Sequence, residues 1–117
     1  MNLFNLLFGE PVTAINSLKL NEKLKNGKRP LVIDVRQPDE YRSGHIAGAK
    51  LIPLDELGRR MKELPKNREI ICVCASGNRS GSATRKLVGA GYDAVNMKGG
   101  MLSWRQAGFP VRKGDAA

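Results

Sequence analysis

Short apolar runs alternate with amphipathic segments along the chain, and this alternation predicts an ordered series of strands and helices. The β-branched runs at residues 31–33 and 69–73 are typical of buried parallel strands, because such strands are covered on both faces. Weaker apolar stretches predict three further strands, at residues 12–15, 50–52 and 92–97. The pattern therefore predicts five short strands.

Apolar residues at helical spacing separate these strands. Asn16 is a good N-cap for a helix over residues 17–26, and Pro38 suits the first turn of a brief helix. Three more helices are predicted, over residues 55–63, from about Ala83 to before Gly91, and around Leu102 and Trp104. Strands that alternate with helices favour an α/β fold with one open, mainly parallel five-stranded sheet and helices on both faces.

The most informative stretch, residues 69–83, joins a strand, a small-residue loop and the start of a helix. Backbone N–H groups of such a loop converge and carry partial positive charge, so the loop predicts an anion-binding site. Cys74 lies at the strand end, where that field favours its thiolate and makes it a candidate nucleophile. Arg79 adds a donor fork suited to an oxyanion, with a structural salt bridge as the alternative.

Three further residues lie within this stretch or at the same predicted edge of the sheet. Asp34 and Arg36 follow the strand at 31–33, and ligands bind beyond the carboxyl ends of parallel strands. We expect both near Cys74, as a supporting ion pair or hydrogen bond. Cys72 lies inside the strand, and we interpret it as a core thiol, with a resolving cysteine as the alternative.

Composition limits the class of protein. A chain of 117 residues fits one domain, and its apolar fraction of 41% and charged fraction of 26% exclude disorder. No apolar run approaches the roughly 20 residues of a membrane span. Two neighbouring cysteines and one histidine cannot build a structural zinc site, so no metal or cofactor is expected. Free thiols of this kind favour a reducing, cytoplasmic location.

The net charge of +9 favours anionic partners. Lysine and arginine are scattered, no nucleic-acid-binding motif is present, and aromatic residues are few, so we expect a small anion rather than a nucleic acid. Residues 1–8 form an apolar segment that lacks the features of a secretion signal. We expect it to pack on the domain surface, with a membrane or partner contact as the alternative.

Five motifs follow one another in an order typical of a known family. They are Leu31-Val32-Ile33-Asp34-Val35-Arg36, Glu40-Tyr41, Gly44-His45-Ile46-Ala47-Gly48-Ala49, Cys74-Ala75-Ser76-Gly77-Asn78-Arg79-Ser80, and Gly99-Gly100-Met101-Leu102-Ser103-Trp104 with Gly108-Phe109-Pro110. From about residue 15 to residue 111 the chain resembles a single-domain rhodanese. The expected division is a short apolar extension at 1–11, a rhodanese domain at 12–112 and a tail at 113–117.

The resemblance implies a sulfurtransferase, and we separately expect the protein to be a monomer. Cys74 would take a sulfane sulfur from a small anionic donor such as thiosulfate, become a persulfide, and pass the sulfur to cyanide or a thiol, for which a thioredoxin-like protein is a candidate. The loop would bind the donor through Ala75, Ser76, Gly77, Asn78, Arg79 and Ser80. Ser80 is most simply a helix N-cap, with donation to the Cys74 sulfur as the alternative, and Gly77 and Gly81 are expected to adopt positive φ values.

Two other functions have to be weighed. A cysteine phosphatase or arsenate reductase also surrounds an anion with Cys and Arg, but five residues separate them in that pattern, whereas four separate Cys74 from Arg79. No aspartate follows the loop as an obvious general acid either. A rhodanese module that carries a persulfide without turnover, or that binds a partner, would share these residues, so this alternative stays open.

Overall fold

The computed structural model describes Leu3 and residues 11–117, and this part of the chain contains one five-stranded sheet. Its strands are β1 (Ala14–Ile15), β2 (Leu31–Asp34), β3 (Lys50–Leu51), β4 (Ile70–Val73) and β5 (Ala94–Met97). They lie in the order β1-β5-β4-β2-β3, and every neighbouring pair is parallel. The α/β fold predicted from the sequence is confirmed.

Helices cover both faces of the sheet, as predicted. They are α1 (Ser17–Leu24), α2 (Pro38–Ser43), α3 (Leu54–Arg60), which continues as a short 3-10 turn (Met61–Glu63), α4 (Asn78–Gly89) and α5 (Gly100–Gln106). Leu57 of α3 and Leu87 of α4 belong to one buried cluster. Leu20 of α1, Tyr41 of α2 and Trp104 of α5 belong to the cluster on the opposite face.

β4 lies between β5 and β2, and each of its four residues is buried. Its side chains alternate between the two clusters, with Ile71 and Val73 on one face and Ile70 and Cys72 on the other. Burial raises the pKa of the Cys72 thiol to about 11, so this thiol is neutral at physiological pH. The interpretation of Cys72 as a core thiol therefore agrees with the structure.

Several elements are shorter than the sequence pattern predicts. β5 begins at Ala94 rather than at residue 92, because Gly91 and Tyr92 are used to end α4. Gly91 adopts φ 93°, and the N–H of Tyr92 donates to Leu87 O at 3.0 Å. A left-handed glycine that turns the chain out of a helix in this way is a common C-terminal motif, and it uses residues that otherwise look strand-like.

The structure describes the C-terminal end of the chain but little of the N-terminal end. The predicted apolar extension at 1–11 lies outside the described residues, apart from Leu3 and Pro11. In the described part of the chain, no helix has the length and apolar character needed to cross a membrane. The tail packs on the domain, because Gly114 N–H donates to Arg42 O at 2.9 Å and His45 Nε2 lies 2.8 Å from Ala116 O.

Candidate active site

The sheet topology brings the predicted site residues to one rim. Cys74 directly follows β4, and Asp34 is the last residue of the adjacent strand β2. The two strands stay in register up to this edge, where Val35 N–H donates to Val73 O at 2.9 Å. The carboxyl ends of the strands, where ligands bind in parallel sheets, therefore carry Cys74, Asp34 and Arg36 together.

The chain enters α4 earlier than predicted. α4 begins at Asn78, and its N-cap is Gly77, which adopts the left-handed conformation with φ 102°. The expectation that Ser80 is the N-cap is therefore wrong, because the glycine lets the chain turn into the helix three residues sooner. The expected positive φ at Gly81 is also wrong, since Gly81 lies within α4 and is not among the positive-φ glycines of the described chain.

This early start directs donors at the cysteine sulfur. Gly77 N–H donates to Cys74 Sγ at 3.1 Å, and the Ser80 hydroxyl lies within hydrogen-bond distance of the same sulfur, at 3.2 Å. Ser80 is fully buried in the first turn of α4, so the alternative role predicted for it, donation to Cys74, fits the structure. Cys74 itself is fully enclosed, with 0% of its surface exposed.

The thiol of Cys74 is shifted toward ionisation. Burial raises its pKa, but donors around the sulfur lower it more, and the net pKa lies below the ordinary value for cysteine. These donors are the Ser80 hydroxyl and the backbone N–H groups of Ser80, Gly77 and Ser76. A negative sulfur is thus stabilised first by the Ser80 hydroxyl and then by backbone N–H groups of the kind that the small-residue sequence predicts.

Asn96, which the sequence reasoning missed, supports this loop from β5. Its side-chain Nδ2 donates to Gly77 O at 3.1 Å, and its Oδ1 lies 2.6 Å from Ser80 Oγ. One amide therefore fixes two of the residues that donate to the sulfur, Gly77 and Ser80. An asparagine inside a buried strand is itself a signal, because a polar side chain there needs hydrogen-bond partners.

α5 holds the outer side of the loop. Met101 N–H donates to Cys74 O at 2.8 Å, and Leu102 N–H donates to Ala75 O at 3.0 Å. This approach requires Gly100, which has φ 58° and whose missing Cβ would lie 2.6 Å from the carbonyl carbon of Ala75. Because the loop carbonyls face α5, the N–H groups of the loop remain directed to its inner side.

Arg79 is engaged by an acidic residue of α2. Its two terminal nitrogens donate to the carboxylate of Glu40 at 2.7 and 2.9 Å, a bidentate ion pair. The Arg79 hydrogen bond is the largest cause that lowers the pKa of Glu40, to about 2. The salt-bridge alternative for Arg79 is thus what the structure shows, and donor binding by Arg79 stays a prediction.

The predicted pair of Asp34 and Arg36 is present and buried. The Arg36 guanidinium donates to both carboxylate oxygens of Asp34, with Nη2 to Oδ2 at 2.7 Å and Nε to Oδ1 at 2.9 Å. Arg36 Nη2 also donates to Gly44 O at 2.8 Å. Both oxygens of the Asp34 carboxylate are occupied by the guanidinium, so the pair fixes the position of Arg36 at this edge of the sheet.

A pocket of about 290 Å³ opens beside the loop. The residues around it come from α2, the loop and α5, together with the rim arginine, and are Arg36, Glu40, Ser43, Ala75, Met101, Leu102 and Arg105. Ala75 brings the pocket next to the cysteine, whereas the exposed side chains of Ser76 and Asn78 lie on the outer part of the loop and helix start. A small molecule in this pocket would lie directly beside the loop.

The buried Cys74 has a lowered pKa and lies in a loop of backbone donors at the edge of a parallel sheet, an arrangement that suits nucleophilic attack by sulfur. Residues 17–107 match the model of the family described as the rhodanese-like domain. The chain belongs to the rhodanese-like domain family.

The chain is also similar to individual proteins. It is 36% identical over 101 residues to a protein named sulfurtransferase from Allochromatium vinosum, a match that covers 86% of this chain and 94% of that one. It is 38% identical over 110 residues to an HTH-type transcriptional regulator of Mycobacterium tuberculosis, covering 92% of this chain but 48% of the regulator. Some curated relatives are therefore about twice the length of this chain.

Solved structures agree with the fold. The chain superposes on a rhodanese-like domain protein from Staphylococcus aureus with a TM-score of 0.81 and 35% sequence identity. That match covers 88% of this chain and 99% of the Staphylococcus aureus chain. Family, fold and similarity to a named sulfurtransferase together support a protein of the sulfurtransferase type.

Proposed function

We propose that this chain is a thiosulfate sulfurtransferase that carries sulfane sulfur as a persulfide of Cys74. The observation that carries the proposal is the pair of donors on one sulfur, Gly77 N–H at 3.1 Å and Ser80 Oγ at 3.2 Å. These donors stabilise the thiolate that attacks and the negative persulfide that forms. Because these donors lower the pKa of the thiol, a larger fraction of Cys74 is thiolate at neutral pH than in an ordinary cysteine.

The first half of the reaction conserves atoms and charge. The Cys74 thiolate attacks the outer sulfur of thiosulfate, the sulfur–sulfur bond of thiosulfate breaks, and sulfite leaves with the bonding electron pair. In the second half, cyanide or a thiolate attacks the outer sulfur of the persulfide, and Cys74 leaves as a thiolate. The same donors that lower the pKa of Cys74 make it a good leaving group.

The enclosure of Cys74 supports a small donor. Its side chain has no exposed surface, so the loop has to open before any donor reaches the sulfur. A small dianion requires less opening than the persulfide of a folded protein. The basic net charge of +9 also favours the approach of an anion.

Intact mass spectrometry after thiosulfate treatment tests the proposal most directly. The wild type should gain one sulfur atom, Cys72→Ala should gain it as well, and Cys74→Ser should gain none. Thiocyanate release from thiosulfate and cyanide should follow the same order. A sulfur found on Cys72, or equal thiocyanate release by wild type and Cys74→Ser, would overturn the assignment.

A second candidate is a persulfide carrier or partner-binding module. The match to about half of a longer transcriptional regulator favours it, because that sequence forms part of a larger protein there. Such a carrier would gain sulfur on Cys74 but release thiocyanate no faster than free persulfide does. Turnover of an aryl phosphate, which the four-residue spacing argues against, would instead indicate a cysteine phosphatase.

A further inference from the structure

Two arginines meet at one backbone carbonyl beside the loop. Arg36 Nη2 donates to Gly44 O at 2.8 Å, and Arg105 Nη2 approaches the same oxygen at 3.4 Å. Both side chains line the pocket of about 290 Å³ that borders Ala75. Two guanidinium groups directed at one oxygen concentrate positive charge at this end of the pocket.

The two cations differ in how far they are neutralised. Arg36 is ion-paired with Asp34, but its third nitrogen, Nη1, has no hydrogen-bond partner among Leu3 and residues 11–117. Arg36 is 4% exposed, and that small surface lies in the pocket lining. Arg105 is exposed and forms no ion pair with a carboxylate of the described chain. Arg105 therefore gives the pocket one uncompensated positive charge, and Arg36 Nη1 gives it one buried hydrogen-bond donor.

The rest of the lining suits a short carbon chain. Ala75, Met101 and Leu102 supply apolar surface between the arginines and the loop, and Leu102 is 60% exposed at the pocket edge. Glu40 adds no uncompensated negative charge, because Arg79 holds both of its carboxylate oxygens. A ligand with an apolar body and one anionic end fits these surroundings.

We propose that this pocket is the acceptor subsite and that it binds the carboxylate of a small thiol through Arg105 and Arg36. The proposal rests on the sulfurtransferase function proposed above. In thiosulfate the anionic group is bonded directly to the reacting sulfur, so it would have to lie inside the loop. Cys74 does not line the pocket. An acceptor whose carboxylate is bound at Arg105 therefore needs several bonds between that carboxylate and its thiol to reach the persulfide.

The transfer step follows from this placement. The thiolate of the acceptor attacks the outer sulfur of the Cys74 persulfide, a new sulfur–sulfur bond forms, and the bond to Cys74 Sγ breaks. Cys74 leaves as a thiolate, and the acceptor leaves as its own persulfide, without any change in the total oxidation state. Holding the carboxylate orients the acceptor thiolate toward the loop.

The test compares two acceptors of similar size. Protein preloaded with sulfur on Cys74 is treated with 3-mercaptopropionate or with neutral 2-mercaptoethanol, and the ratio of their second-order rate constants is measured. Arg105→Gln should lower this ratio roughly fivefold, as expected for loss of one exposed ion pair. Arg68→Gln is the matched control, because Arg68 is an exposed arginine that donates to a single carbonyl, Arg29 O, at the opposite end of β4.

Two results would overturn the subsite: an unchanged ratio in Arg105→Gln, which includes an equal loss of rate with both thiols, or the same change of ratio in Arg68→Gln. Failure of Cys74 to accept sulfur would instead overturn the proposed function. The unreactive carboxylate 3-(methylthio)propionate then tests the pocket alone by amide chemical shifts. Saturable shifts at Leu102 and Arg105 that disappear in Arg105→Gln support the subsite, and their absence in the wild type overturns it.

Discussion

The side chains of Ser80 and Asn96 form a hydrogen bond of 2.6 Å across 16 residues of sequence. The same Ser80 hydroxyl lies 3.2 Å from Cys74 Sγ, yet it has a single proton to donate. When the thiol is neutral, it can donate to Ser80 while Ser80 donates to Asn96. When the thiol ionises, the Ser80 proton is needed at the sulfur, so Asn96 and Cys74 compete for it.

Ser80→Ala should raise the pKa of Cys74, because it removes the strongest donor to the thiolate. Ultraviolet thiolate absorbance, measured as a function of pH with Cys74→Ser as the blank, gives the titration directly. The rate of persulfide formation near neutral pH should fall several-fold in parallel. Ser82→Ala is the matched control, since this exposed serine lies on the same helix. An unchanged titration midpoint in Ser80→Ala would contradict the prediction.

Glu40→Gln should lower the free energy of unfolding at neutral pH. Its carboxylate pairs with Arg79, and its pKa falls from 4.5 to about 2 on folding, so ionised Glu40 stabilises the folded state. This contribution is complete above pH 4.5 and is lost as the pH falls toward 2. Glutamine keeps the oxygen that accepts from Gln37 N–H in the helix capping box.

Urea denaturation across that pH range checks this prediction. The wild type should be more stable than Glu40→Gln above pH 4.5, and the difference should shrink toward zero as the pH approaches 2. A difference that is constant from neutral pH to pH 2 would show that the charge of Glu40 is not its source.

Arg79→Ala should weaken the apparent affinity for thiosulfate by about 1.5–3 kcal/mol if Arg79 leaves Glu40 to bind the donor. Glu40 holds Arg79 in a bidentate ion pair and so opposes its release toward the donor. Glu40→Gln should therefore strengthen the apparent affinity for thiosulfate. Steady-state kinetics with thiosulfate as the varied substrate measures both effects. Equal affinity in wild type and Arg79→Ala would remove Arg79 from the donor site.

Gly100→Ala should destabilise the fold and the loop together. A Cβ at this position would lie 2.6 Å from Ala75 C, and the residue has φ 58°, which costs a non-glycine residue about 1–3 kcal/mol before any displacement. The melting temperature should fall, and the midpoint of the Cys74 thiol titration should shift. Gly27→Ala is the control, because its Cβ would meet no atom within 4 Å and its φ is not positive. Equal melting temperatures for the two variants would refute the prediction.

Cys72 and Cys74 should differ sharply in reactivity toward a thiol reagent. The pKa of Cys72 is raised to about 11 by burial, whereas that of Cys74 is lowered. In native protein at neutral pH, iodoacetamide should modify Cys74 much faster than Cys72, and in urea it should modify both. Peptide mapping by mass spectrometry identifies the site. Faster labelling of Cys72 in the native protein would contradict this assignment.

The fold and the position of Cys74 in its loop are predictable from the sequence because both depend on local patterns. The apolar run before Cys74 marks a central strand, and the small residues after it mark a turn into a helix. The supporting contacts are not local: Asn96 reaches Gly77 across 19 residues, and Glu40 reaches Arg79 across 39. A sequence with many charged residues does not show which carboxylate pairs with Arg79.

The helix start shows a second limit. Ser80 is an N-cap by residue preference, but the left-handed conformation of Gly77 starts α4 earlier and places Ser80 inside the first turn. Capping preferences describe each residue alone, whereas the packing of the loop against α5 and Asn96 selects among them. Ser80 then acts as a hydrogen-bond donor to Cys74, because its hydroxyl lies 3.2 Å from Cys74 Sγ.

The hydrogen bonds from Met101 and Leu102 to the loop carbonyls have a consequence for how this site can change during evolution. Residues outside the loop hold it by its backbone carbonyls, so most side chains at 75, 76 and 78 are replaceable without loss of its shape. Two glycines are less replaceable: Gly77, because of its left-handed conformation, and Gly100, which lies in a different motif, 26 residues after Cys74. Side-chain changes in the loop are therefore compatible with an unchanged position of the Cys74 sulfur, as long as α5 keeps its hydrogen bonds to the loop.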